Sequence, residues 1–314
     1  MTRFGLQIPN FSFGVADTEL FDKVVELAVN AEDSGFDSVW VMDHLYQLPA
    51  LGGPDQPMLE SYTLLGALGA RTSRVQLGTL VTGVTYRNPA LLAKIVTTLD
   101  IITGGRAILG LGAAWYDVEH NGLGFDFPST GERMERLEEA VQICRAMFTE
   151  EAPTFEGKHY RINGARNVPR PIRAAGIPIM IGGGGEKRTL RLVALHADAC
   201  NFFGDVPTVR HKIEILRRHC KDVGRDFDEI TVTRLATLVL TDSEEQTAQT
   251  REMLAGAAGP EAAAAFNVGT ESEVVAQVAE LAEAGVGTFI FNMPLSNAEG
   301  VHRAGTLLTS RFGS

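Results

Sequence analysis

Four consecutive glycines, Gly182 to Gly185, stand between an apolar run (Ile177, Ile179, Met180, Ile181) and a stretch with helical spacing, Glu186 to Ala197. A glycine turn of this kind lets backbone N–H groups converge, because no Cβ blocks the approach. The free N–H groups and the dipole of a helix start then favour an anion, most often a phosphate. From Lys158 to Arg191 the chain carries Lys158, Arg161, Arg166, Arg170, Arg173, Lys187, Arg188 and Arg191, against one acid, Glu186. This pattern reads as a site for a strongly anionic ligand. It is not a P-loop, which would continue Gly-Lys-Ser/Thr where this chain has Glu186-Lys187-Arg188. Nor is it a dinucleotide fingerprint, which needs glycine or alanine where Lys187 stands.

Asp43-His44 is the second pattern. Histidine titrates near neutral pH, and an adjacent carboxylate could tune or orient a polar partner. His120 beside Glu119 reads as structural, in a segment where Glu119, Arg133 and Glu135 are available for a polar network. The seven histidines show no His-Glu-x-x-His motif, no Cys/His spacing suits zinc, and there is no Gly-x-Ser-x-Gly elbow. No metal site is expected. An anion cradle with few obvious acids or bases points to a cofactor that carries the reaction.

Apolar runs and helical periodicities alternate along the chain to position these residues. Strands are expected at 4–8, 38–42, 75–81, 107–111, 177–181, 199–203, 230–240 and 288–291. Helices follow them, with faces such as Leu20, Val24, Leu27, Ala28 and Ala31, and Leu91, Leu92, Ile95, Val96 and Leu99. Thr270 and Glu273 are spaced as a capping box for a helix over 271–284. The Ala-rich patch at 262–265 is compatible with helix. Eight such repeats predict an α/β fold, a (β/α)8 TIM barrel forming a single domain over residues 1–314; a doubly wound sheet is the alternative. The 314 residues exceed the usual barrel of about 250. Insertions are therefore expected at 46–58, 115–131 and 149–173.

Barrel enzymes place chemistry at the C-terminal ends of their strands. There the sequence offers Gln7 and Asn10, Asp43 and His44, Thr79, Thr82 and Thr85, Gly110, Gly112 and Trp115, Asn201, and Asn292. Gly112 permits close backbone approach to a ligand. Trp115 walls a flat ring or covers the barrel mouth. The formal charge of −11 argues against general binding to nucleic acid or membrane surfaces. Cys144, Cys200 and Cys220 suggest no disulfide framework. With no signal-peptide pattern or bilayer-length apolar run, the chain reads as soluble and cytoplasmic.

Taken together, the motifs resemble those of the luciferase-like flavin and deazaflavin oxidoreductases, particularly the coenzyme F420-dependent branch. The marks are Phe4-Gly5-Leu6-Gln7, the run from Ser38 to His44, the run from Leu77 to Pro89, the run from Gly105 to Trp115, and the Ile181–Arg188 loop. The resemblance implies a strand-three bulge at Leu80-Val81, often with a non-prolyl cis peptide, behind an isoalloxazine-like ring, with Thr79 beside it. It implies a phosphate site at Gly182–Gly185, Asp43 near the ring and His44 in proton chemistry. It also implies a homodimer. Members that oxidise sugar phosphates carry a glutamate shortly after the strand-four glycines, where this chain places Trp115, which argues against that activity. F420 joins a phosphodiester to a polyglutamate tail, so the basic stretch suits it better than FMN. The expected function is hydride transfer between F420 and a small organic substrate. The alternatives are an FMN-dependent monooxygenase, a non-catalytic flavin- or deazaflavin-binding protein, and a cofactor-free barrel acting on phosphorylated substrates.

Overall fold

The computed structural model describes residues 2–259, 263, 265–294 and 296–313; half of the Ala-rich patch at 262–265 lies outside them. The barrel strands are β1 (Arg3–Ile8), β2 (Ser38–Val41), β3 (Gln76–Thr79), β5 (Ala107–Gly112), β8 (Ile179–Gly182), β9 (Ala199–Phe202), β10 (Thr231–Leu240) and β12 (Thr288–Asn292). All pair in parallel, and β9–β10 and β12–β1 pairings close the ring. Two short strands extend it, β4 (Thr82–Gly83) along β5 and β11 (Asn267–Gly269) along β10. An antiparallel pair, β6 (Phe155–Glu156) and β7 (Arg161–Ile162), lies apart.

The helices are α1 (Leu20–Asp33), α2 (Ser61–Gly69), α3 (Pro89–Thr103), α4 (Asp117–Leu123), α5 (Thr130–Thr149), α6 (Thr189–His196), α7 (Val206–Val223), α8 (Glu244–Ala258), α9 (Glu271–Glu283) and α10 (Ala298–Phe312). Their termini follow local chemistry. Asn88 caps α3 ahead of Pro89, and Gly104 ends it in the left-handed region. The Thr270/Glu273 capping box on α9 forms as its spacing predicts.

Strand side chains alternate between two cores. Val39, Val41, Ile179 and Ile181 face the helices in the larger one. Trp40, Leu80, Met180, Leu235 and Ile290 fill the barrel interior. Trp40 fits because its neighbours are glycines: a Cβ on Gly5 or Gly78 would come within 2.9 Å of its ring. Among the described residues the barrel interior is thus a packed plug, and a cavity opens at the strand ends.

Two expectations need correction. The third strand stops at Thr79 instead of running to Val81, and resumes as β4 after a cis peptide at Leu80–Val81. The helix after the glycines begins at Thr189, not Glu186, with Glu186–Arg188 as a turn. The expected insertion at 115–131 contains α4, and 149–173 contains the β6–β7 pair. Among the described residues no helix is long and apolar enough to cross a membrane.

Candidate active site

A cavity of ≈ 330 Å³ opens at the C-terminal ends of the strands. Residues just past β2 (Asp43, His44), β3 (Leu80 to Gly83), β5 (Ala113 to Trp115) and β9 (Phe203) line it, together with Gly112, Gly182, Asn201 and Leu235 on the strands. Of the residues singled out from sequence, it gathers Asp43, His44, Leu80, Val81, Thr82, Gly112, Trp115, Gly182, Gly183 and Asn201. Thr79, Gly184, Gly185 and Lys187 are not in its wall. Trp115 and Phe203 stand at the rim with more than 60% of their surface exposed.

His44 is held by a residue the sequence had set aside. Its Nδ1 lies 2.7 Å from Oε1 of Glu119, which is fully buried on α4. The same Oε1 accepts from the Tyr86 hydroxyl. Oε2 accepts from the amides of Leu45 (2.6 Å) and Tyr46 (3.1 Å). Burial pushes the Glu119 carboxyl up. The hydrogen bonds from His44, Tyr86 and Leu45 together outweigh it and hold the group below the usual carboxylate range. Trp115 and Tyr116 meet the His44 ring edge-on, with centroids 5.6 and 5.8 Å away. Among the described residues His44 Nε2 has no hydrogen-bond partner, and the ring lines the cavity.

Asp43, the sequence neighbour, does not contact the imidazole through its carboxylate. Oδ1 accepts from Ser61 (2.5 Å), and Oδ2 from the Gly83 amide (3.0 Å) and Arg87 (2.8 Å). Its task is to tie the strand-three bulge to α2. The expected network of Glu119, Arg133 and Glu135 does not form. Arg133 donates to the Ala113 carbonyl and stacks on Phe127, and Glu135 pairs with Lys158 and His159. His120 is structural, as its position suggested: it is buried, bonded to the Tyr116 carbonyl and Thr85, and stacked on Tyr86.

Behind the cavity, Thr79, Thr82 and Tyr62 form a hydroxyl chain with 2.6 Å steps that braces the bulge. Burial pushes the Tyr62 phenol well above its usual range, so it stays a neutral link. The glycines of β5 and β8 serve this bulge. A Cβ on Gly110 would strike the Thr79 carbonyl, and one on Gly112 or Gly182 would come within 2.9 Å of Val81 methyls. Val81 therefore meets two strands with no side chains between.

The glycine loop leaves the cavity at Gly183, whose φ of +117° favours glycine. No side chain caps α6 at Arg188. The expected excess of positive charge is mostly spent elsewhere. Lys158 pairs with Glu135, Arg161 with Glu156, Arg166 with Glu151 and Arg173 with Asp100. Arg170 donates to the Glu150 and Phe148 carbonyls. A count that starts at Lys158 missed acids earlier in the chain, Asp100 on α3 and Glu135 on α5 among them. What it did not anticipate is α7, which brings Lys212 and His211 onto Glu186 at 2.6 and 3.1 Å.

Comparison with known proteins agrees with this fold. The luciferase-like monooxygenase model matches residues 2–261. An F420-dependent glucose-6-phosphate dehydrogenase of Nakamurella multipartita is 36% identical over 264 residues, 82% of this chain and 74% of that protein. The chain belongs to the luciferase-like monooxygenase family. A relative of the same name from Kineococcus radiotolerans is 40% identical over 52% of this chain, and the match spans 47%, about half, of its length. Among solved luciferase-like folds, an F420-dependent secondary alcohol dehydrogenase, in complex with an F420-acetone adduct, superposes with a TM-score of 0.81 at 20% identity over 99% of both chains. The monooxygenase RslO1 from Streptomyces bottropensis gives 0.80 at 21%, over 99% of this chain and 98% of that one.

Proposed function

We propose that the protein is an F420-dependent oxidoreductase, one barrel domain that moves a hydride between the deazaflavin and a small organic substrate. The observation that carries this reading is the cavity wall. On it, an imidazole with one anchored nitrogen lines the same cavity as a bulge backed by two glycines. F420 is favoured over FMN because relatives at 36–40% identity bear F420 in their names, whereas the likeness to monooxygenase RslO1 is one of fold.

The residues fit such a cofactor. Leu80, Val81 and Gly112 would seat a flat ring, since neither Gly112 nor Gly182 puts a Cβ between Val81 and the cavity. Asp43 and Thr79 would brace that seat from behind. Gly182 to Gly185 and Lys187 would receive the phosphate end, beside the uncapped start of α6. When bound, the deazaflavin supplies the hydride acceptor or donor. His44 is the catalytic residue, taking or returning the substrate proton at Nε2. Trp115 and Phe203 would flank the substrate.

The described residues lining the cavity include no lysine or arginine, and the one carboxylate among them, Asp43, is paired with Arg87. That lining suits an uncharged substrate with apolar surface, not a sugar phosphate. Trp115 alone does not set this chain apart from members that oxidise sugar phosphates, because Glu119, four residues on, brings a glutamate onto His44.

Two finer readings complete the proposal. Leu91, Ile101 and Ile102 on α3, with Val168 and Ile172, are exposed apolar residues suited to a homodimer contact. A cytoplasmic location fits the three free, buried cysteines.

The test is titration of ligand-free protein with F420 and with FMN, followed by ligand fluorescence at several salt concentrations. F420 binding that weakens with salt, beside poor FMN binding, is expected. Preference for FMN together with substrate-dependent oxygen uptake would replace this reading with the monooxygenase one. Binding of neither would remove the cofactor from the account.

A further inference from the structure

An imidazole accepts a proton at Nε2 only when that atom carries the lone pair, and its other hydrogen bond decides this. In this protein the other bond goes to Glu119. That carboxylate takes four donors: His44 Nδ1, the Tyr86 hydroxyl, and the Leu45 and Tyr46 amides. Amides can only donate, and an ionised carboxylate can only accept. Their combined bonds outweigh burial and keep the group ionised at neutral pH. A carboxylate without a proton requires one on Nδ1.

We propose that Glu119 is the positioning residue for His44, fixing its Nδ1–H tautomer and presenting Nε2 to the cavity as the proton-accepting atom. Among the described residues no other nearby charge does this work. Asp43 on the same strand end is committed to Ser61, Gly83 and Arg87. Arg87 is spent on Asp43 and Glu60. His120 faces Thr85 and the Tyr116 carbonyl, with Tyr86 stacked on it. Trp115 and Tyr116 press the imidazole edge-on, so the ring plane is held as well as the tautomer. The division of labour is that of a hydrolase triad, in which a buried acid orients the histidine that moves the proton. Its kinetic side rests on the oxidoreductase reading; the tautomer does not.

The experiment is a two-bond ¹H–¹⁵N correlation spectrum of ligand-free, ¹⁵N-histidine-labelled protein, with the His44 signals assigned by their loss in His44→Gln. The neutral ring should show a protonated Nδ1 and an unprotonated Nε2. An Nε2–H tautomer, or an average of both, in the wild type would overturn the proposal. Glu119→Gln should lose this preference and lower kcat by about 10²-fold or more, with KM and the F420 Kd within about threefold. An unchanged tautomer and kcat in that variant would also overturn it. If the variant does not fold, the wild-type spectrum decides. Failure of F420 to bind would strike the cofactor reading and leave the tautomer result standing.

Discussion

The two sides of the cavity are built differently. On the His44 side, polar groups from β2, the β3–β4 bulge, α2 and α4 are buried and bonded to one another. One of these bonds, His44 to Glu119, joins residues 75 positions apart. On the glycine-loop side, Lys187 and Arg188 are exposed, Lys212 pairs with the exposed Glu186, and the helix start has no side-chain cap. A group that moves a proton must hold position within a fraction of an ångström, so its supports are buried and mutually bonded. A site for a charged, solvated tail needs amides and loosely held cations, which water can share.

Substitutions on each side should separate these roles. The largest effect is expected from His44→Ala, which should lower kcat by about 10²–10⁴-fold while the F420 Kd changes less than about threefold. Steady-state kinetics and fluorescence titration give the two numbers. An equal loss of affinity would break the contrast.

Next comes a pair of alanines. Gly182→Ala puts a Cβ 2.9 Å from both Val81 methyls and should cost about 1–3 kcal/mol in denaturant unfolding. The same change at Gly184 meets nothing nearer than 3.7 Å and should leave stability unchanged. Equal costs would mean that the bulge yields.

Acid titration of stability should register Glu119. Its folded-state carboxyl lies below the ordinary value of 4.5, so its contribution is complete above that pH and lost as pH falls through the folded value. Glu119→Gln should remove that part of the acid limb, as read from unfolding midpoints between neutral pH and pH 3. An acid limb identical to that of the wild type would count against an ionised Glu119 in the folded state.

The smallest effects belong to the surface charges. Lys187→Gln should weaken F420 binding by about threefold to tenfold and flatten its salt dependence. Arg161→Gln and Arg166→Gln, whose charges are paired with Glu156 and Glu151, should leave binding unaltered.

The barrel was legible because each strand is an apolar run and each major helix has a buried stripe; Ile179–Ile181 and Leu20–Ala31 needed no partner to be read. The site was legible only in part. His44 stood out by its type and its place after a strand, but its partner did not. Asp43 was the wrong neighbour to consult, because its carboxylate is taken by Ser61, Gly83 and Arg87 instead of the imidazole. Glu119 lies on a helix of seven residues, too short for periodicity to reveal. The basic stretch misled for a related reason: charge counted along the chain omits Glu135, which returns from the preceding helix.

Ring closure has a consequence in time. The first strand pairs with the last, Arg3 opposite Thr288 through Gln7 opposite Asn292. During synthesis β1 emerges before the other barrel strands, yet one of its edges waits until β12 has followed all of them. Until then five buried residues, Phe4 to Ile8, border a row of unpaired amides. Shielding that edge on the ribosome falls to whatever binds nascent chains, and fragments ending before Thr288 should be the aggregating ones.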